Sequence, residues 1–133
     1  MSTNYYNTLI EIADDSPTAT SVAPDLTKSS VASQQFALVS ENPYTYTSDD
    51  VIFHRVAEKE SIPADQVAAA QEEYFQKGRA CLRTSPLAKT HGWGIHSNDE
   101  GKIALVAAES DEYKQLQSDD AVKKVKAMKR SRG

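Results

Sequence analysis

Apolar and polar positions alternate over Tyr6-Asn7-Thr8-Leu9-Ile10-Glu11-Ile12, putting Tyr6, Thr8, Ile10 and Ile12 on one face of an extended, β-branched segment. This pattern predicts a first strand. Residues 14–28 lack periodicity and are rich in Asp, Ser, Thr and Pro, which predicts a long surface loop. After Ser30, a good helix cap, Ala32, Phe36 and Val39 recur at helical spacing, and Pro43 sets the limit of that helix because the residue before a proline avoids helical angles. Thr47-Ser48-Asp49-Asp50 reads as a second helix start, with a capping hydroxyl and acids in the first turn. Ile52, Phe53, Val56 and Ala57 then face inward. Pro63 and Gly78 bracket a third helix over residues 63–77, with Val67, Tyr74 and Phe75 as its buried stripe.

Further along, Ala80 and Leu82 alternate with Arg79, Cys81 and Arg83, which predicts a short strand with a basic face before a turn at Thr84-Ser85-Pro86. Residues 93–96 and 102–107 flank Ser97-Asn98-Asp99-Glu100-Gly101 as a hairpin. Ser110 caps a short helix carrying Tyr113 and Leu116, and residues 122–128 form a last strand. The elements do not alternate as regular crossover units. The expected fold class is therefore α+β, an antiparallel sheet of four to five short strands with three to four helices packed mainly on one face.

The 133 residues, 39% of them hydrophobic, suit one domain spanning 1–133 with a single core. The longest apolar run, Ile103 to Ala108, falls far short of the roughly 18 residues that span a bilayer, so no membrane segment is expected. The amino end lacks the basic start and apolar stretch of a secretory signal, and a soluble cytoplasmic protein is expected. Cys81 is the only cysteine, which excludes an internal disulfide and a multi-thiolate zinc site.

Charge is unevenly placed. The net charge is -4, from 15 basic and 19 acidic residues. No acid occurs from Tyr74 to Asn98, where Lys77, Arg79, Arg83 and Lys89 lie with His91 and His96. The last stretch, Ala121 to Gly133, holds six more cations and no acid, and residues 129–133 are expected to be a frayed basic tail. Such an acidic chain is a poor duplex binder, so nucleic acid is a minor hypothesis and a basic-tail interaction protein a third reading.

Asn42-Pro43-Tyr44-Thr45-Tyr46-Thr47-Ser48-Asp49-Asp50-Val51 and Ser85-Pro86-Leu87-Ala88-Lys89-Thr90-His91-Gly92-Trp93-Gly94-Ile95-His96, preceded by Cys81-Leu82-Arg83, resemble a family of small single-domain proteins known only as a domain of unknown function. The likeness takes in Tyr5-Tyr6-Asn7-Thr8 and Val125-Lys126-Ala127-Met128, and so nearly the whole chain. It implies a shared fold and one shared domain. It implies no activity.

Two chemical readings compete for the acid-free interval. On a strand, Arg79, Cys81 and Arg83 share a side, so two guanidiniums flank a thiol and favour its thiolate. A Cys-dependent enzyme or redox-sensitive protein would also need His91 or His96 within reach of the sulfur as a base. The other reading uses Arg79 and Arg83 as anchors for a small anionic ligand or acidic partner, with Lys89 and His91 as secondary charges and Trp93 as an apolar wall. Gly92 and Gly94 would admit close approach of a ligand or serve a tight turn. No phosphate-loop or dinucleotide fingerprint is present, and no cofactor is expected. His91 and His96 face opposite ways on a straight strand, which argues against a metal site with Asp99. The anion-binding reading is the stronger, and catalysis the weaker.

Overall fold

Leu9 and Ile10 are neighbours on a strand and therefore point to opposite faces, yet both are buried, so β1 (Thr8–Glu11) is covered on its two sides. The computed structural model describes residues 2–129. Around β1 lies a four-stranded sheet of order β3-β2-β1-β4, formed with β2 (Trp93–Ser97), β3 (Ile103–Ala107) and β4 (Lys123–Lys126). The hairpin β2–β3 is antiparallel, with Ser97 opposite Ile103, and β1 runs antiparallel to β2. β4 pairs parallel to β1, with Thr8 opposite Lys123 and Glu11 opposite Lys126.

The sheet is therefore mixed and not antiparallel throughout. The reason is topological. β3 and β4 run in the same direction at opposite edges, so the chain joining them must cross a face of the sheet, and α5 (Asp111–Ser118) is that crossover. With α5 on one face, the helices cannot all pack on the other. Among the described residues there are five α-helices, more than the three to four expected. α1 (Val31–Glu41), α2 (Ser48–Lys59), α3 (Val67–Tyr74) and α4 (Pro86–Thr90) precede α5.

The core divides accordingly. Ile10, Ile95 and Ile103 join Val39, Val51, Leu82 and Ala88 in one apolar cluster, whereas Leu9 and Val106 join Tyr113 and Val122 in a second under α5. The single core expected from chain length is thus two clusters, one on either side of the sheet.

All three predicted caps form, Ser110 Oγ accepting from Tyr113 N at α5. Ser30 and Ser33 make a reciprocal capping box at α1, and Thr47 and Asp50 make one at α2, where Thr47 Oγ1 accepts from Asp50 N at 3.2 Å and Asp50 Oδ2 from Thr47 N at 3.1 Å. Asp49 does something else. Its Oδ1 accepts from Thr3 N at 2.7 Å and Thr3 Oγ1 at 2.6 Å, strapping the amino-terminal segment to α2. On α2 the fully buried apolar residues are Val51 and Phe53, while Ile52, Val56 and Ala57 are half-buried, a stripe rotated from the expected one.

Three local expectations fail. The helix expected over residues 63–77 is a 3-10 turn (Ala64–Gln66) followed by a shorter α3. Consecutive residues on a helix splay apart, but Tyr74 contacts both Phe53 and Phe75 edge-on, and ending the helix at Tyr74 lets Phe75 turn into the core. Phe75 is buried, while Val67 and Tyr74 are half-buried.

The strand expected at Arg79–Arg83 does not form either. Leu82–Thr84 is a 3-10 turn, in which Thr84 N and Thr84 Oγ1 both donate to Cys81 O, at 3.1 and 2.7 Å. A hydroxyl that bonds its local backbone competes with sheet pairing. Arg79, Cys81 and Arg83 therefore do not line one face of a strand. Finally, Ser85-Pro86 is a helix start and not a turn: Ser85 Oγ accepts from Leu87 N, and Pro86 opens α4.

The edges are closed by connecting chain and by charge. Tyr44 N donates to Ile103 O and Ile103 N to Tyr46 O, so the α1–α2 connection lies along β3. β4 is a strand of three lysines and Val125, a composition that discourages strand addition. Arg83 Nε donates to Lys126 O at 2.6 Å, and Met128 N to Arg83 O at 2.8 Å. Of the expected basic tail, all but Lys129 lies outside the described residues.

Candidate functional site

α2 places Arg55 and Lys59 one turn apart, hence on one side of the helix, with Ile52 and Val56 at the same spacing beside them. α1 presents Val31 and Gln35 in the same way, and the irregular segment after α3 brings Gly78 to Cys81 across the gap. Between these three pieces opens a cavity of about 580 Å³ that Arg55, Lys59 and Arg79 line and no carboxylate does.

What holds each donor decides what the cavity can do. Arg55 Nη1 donates to Gln34 Oε1 at 2.9 Å, and Arg79 Nε to Tyr74 O at 2.9 Å. The Arg79 guanidinium also lies over the Tyr74 ring, 3.8 Å from its centroid. Both guanidiniums are thus oriented by neutral groups. The ion pairs among the described residues are His54–Glu58 and Lys126–Asp14, so none of Arg55, Lys59 and Arg79 is ion-paired with a described carboxylate, although Glu58 borders a smaller adjoining opening with Arg55 and Lys59. Gln35 is also fixed. Ser85 Oγ accepts from Leu87 N and donates to Gln35 Oε1 at 2.6 Å, which leaves the Gln35 amide nitrogen as a neutral donor at the wall.

Other openings are used differently. A larger one of about 790 Å³ between α2 and α3 is bordered by Asp49, Asp50 and Glu72. Asp49 and Asp50 are occupied by Thr3, Thr47 and Gln71, as the strap and the cap require. Beyond Tyr74, a third of about 410 Å³ is lined by Arg79 as well as by Glu60, Glu73 and Lys77, and neither glutamate is within ion-pair distance of Arg79.

Of the residues expected to form a site, Arg79 and Cys81 line the cavity, while Arg83, Lys89, His91, Trp93 and His96 do not. Arg83 is bonded to the β4 edge. His91 and Trp93 instead hold the long loop over residues 14–28: Val22 N donates to His91 O at 2.8 Å, and Trp93 Nε1 donates to Val22 O at 3.1 Å. Trp93 also meets Phe36 edge-on. One position along, Ser21 N and Oγ donate to Glu109, which holds its carboxyl below the ordinary carboxylate range.

The two glycines serve this packing. Gly92 has φ of +73°, and a Cβ there would lie 2.2 Å from Thr20 O. At Gly94 a Cβ would lie 2.6 Å from the Tyr113 ring, which rests on the sheet and accepts Ile12 N on its hydroxyl.

Cys81 has a different neighbour from the one a Cys-His pair requires. Tyr5 Oη lies 3.5 Å from its Sγ, and the Tyr5 hydroxyl is pushed up first by burial and then by that contact. His91 Nδ1 lies 2.8 Å from Thr90 Oγ1 and 3.0 Å from Pro86 O, and His96 Nδ1 lies 2.8 Å from Tyr44 Oη. Neither ring is hydrogen-bonded to the sulfur among the described residues. Nor do three His, Cys, Asp or Glu side chains gather there as a metal set.

Burial holds His96 below its ordinary value of 6.5, against the opposing charge of Glu112, and the same burial pushes Tyr44 up. Because the folded-state value is depressed, the unfolded chain takes up this proton first as pH falls. The stability His96 supplies is thus present above its unfolded value and lost as pH drops through its folded one. Melting temperature is expected to fall from about pH 7.5 to about pH 5, and His96→Asn to flatten part of that fall. An identical pH slope in the variant would contradict this.

Arg55 and Lys59 escape a reading by charge blocks, because Asp49, Asp50 and Glu58 on the same helix mask them. Their i, i+4 spacing is the signal that finds them.

Fold and cavity together define a small α+β protein with an open, cation-lined cavity between helices. No helix is long and apolar enough to cross a membrane among the described residues. The chain belongs to a family of unknown function (DUF6157), whose model matches residues 1–133, in keeping with the resemblance carried by its Asn42–Val51 and Ser85–His96 segments. No curated protein and no solved structure matches it.

Proposed function

We propose that the protein binds a small anionic ligand in the cavity between α1, α2 and residues 78–85, with Arg55, Lys59 and Arg79 as its anchors. One observation carries this reading: three cations line one volume that no carboxylate lines, and the two guanidiniums among them are positioned by neutral partners, so their charge is left for a ligand. None of the chain's 19 acidic residues lines this cavity. Of the two anchors expected from sequence, this reading keeps Arg79 and replaces Arg83 with Arg55 and Lys59, and it leaves out Lys89 and His91 as secondary charges and Trp93 as a wall. Catalysis by Cys81 with His91 or His96 draws no support from the hydrogen bonds those rings make.

A thermal-shift titration with inorganic phosphate, against chloride at equal ionic strength, tests the reading. At about ten times Kd a ligand of the folded state adds about 1.4 kcal/mol, on the order of 5 °C in melting temperature. Arg79→Gln should remove the phosphate-specific part. No rise beyond the chloride control, or a rise that Arg79→Gln leaves intact, overturns the proposal.

A further inference from the structure

The directions from which charge arrives constrain what fills this cavity. Arg55 and Lys59 approach from α2 and Arg79 from the segment after α3, so three cations reach one volume from two elements. A carboxylate has a single charge on two coplanar oxygens, and one guanidinium fork satisfies it. A phosphate monoester has nearly two charges at neutral pH and three terminal oxygens in a tetrahedral spread. That spread matches converging donors, to which the Gln35 amide adds a neutral one.

The rest of the lining is of another kind. Ile52 and Val56 from α2 and Val31 from α1 give the cavity an apolar side. A bare inorganic anion leaves that side wet, whereas a ligand with an apolar body covers it and gains from doing so.

Resting on the anion-binding reading, we infer that the ligand is a small-molecule phosphate monoester with a compact apolar or aromatic body. The phosphate sits among Arg55, Lys59 and Arg79, and the body lies against Ile52, Val56 and Val31. Charge draws the ligand in, and the apolar side selects among phosphates.

Calorimetric titration of the full chain at pH near 8 and fixed ionic strength compares phenyl phosphate, inorganic phosphate and benzenesulfonate. Phenyl phosphate should bind about tenfold or more tightly than inorganic phosphate, because only it covers the apolar side. Benzenesulfonate, similar in shape but singly charged, should bind about tenfold more weakly than phenyl phosphate. Val56→Ser should weaken phenyl phosphate and leave inorganic phosphate unchanged. If phenyl phosphate binds no tighter than inorganic phosphate, or benzenesulfonate matches it, the monoester assignment is overturned and the anion cavity stands. If none of the three binds, or Arg79→Gln changes nothing, the anion-binding reading itself fails and the assignment goes with it.

Discussion

Gly92→Ala is expected to cost about 3 kcal/mol, on the order of 10 °C in melting temperature. Two causes add. A residue with a Cβ at φ of +73° occupies the left-handed region at about 1 to 2 kcal/mol. The Cβ also lands 2.2 Å from the carbonyl oxygen of Thr20, which is backbone and cannot swing aside. Relief requires moving a segment fixed immediately after Thr20, by Glu109 on Ser21 and by His91 and Trp93 on Val22. Gly92→Asn separates the causes, because asparagine tolerates the left-handed region but keeps the same Cβ. Both variants should therefore melt early, with the asparagine one slightly less so. An alanine variant within about 0.5 kcal/mol of the parent, the range of ordinary surface substitutions, would contradict this account of the glycine.

That account also explains how far the sequence could be read. The first strand, the caps at Ser30, Thr47 and Ser110, the β2–β3 hairpin and the last strand were all legible, because each rests on a local rule: alternation, a hydroxyl before an apolar periodic run, or a turn between strands. The parallel pairing of β4 with β1 was not. It depends on α5 crossing the sheet, a long-range fact that no window of residues contains. The strand read into Arg79–Arg83 failed because five alternating residues are weak evidence, and Thr84 bonds the backbone locally instead.

The site was half legible for a related reason. Arg79 stood out because no acid lies near it in sequence. Arg55 and Lys59 did not, since acids share their helix. Trp93 and the glycines drew attention as chemistry-bearing residues, and the structure employs them in docking a loop and seating the Tyr113 ring. A sequence shows which residues are unusual. Which neighbour each answers is decided by the fold.

The second large effect is on binding. Arg55→Gln combined with Arg79→Gln takes two of three cations from the cavity wall and leaves neutral donors of related shape. Charge-assisted bonds are roughly twice as strong as neutral ones, so anion affinity should fall by about a hundredfold or drop below detection. Stability should change by less than about 1 kcal/mol: the cation-π contact of Arg79 with Tyr74 is lost, while repulsion within the cluster is relieved. Binding and stability thus separate cleanly, in contrast to Gly92→Ala. A double variant that still binds phosphate at full affinity would place the anion somewhere other than this cavity.

The most direct measurement is a map, by amide and side-chain chemical shifts, of an inorganic phosphate titration of the full chain. The account predicts saturable shifts confined to α2 around Arg55 and Lys59, to Gln35, and to residues 78–82, all absent from the Arg55→Gln/Arg79→Gln variant. Shifts centred on Lys123, Lys124 and Lys126 of β4, or spread evenly over exposed lysines, would contradict it.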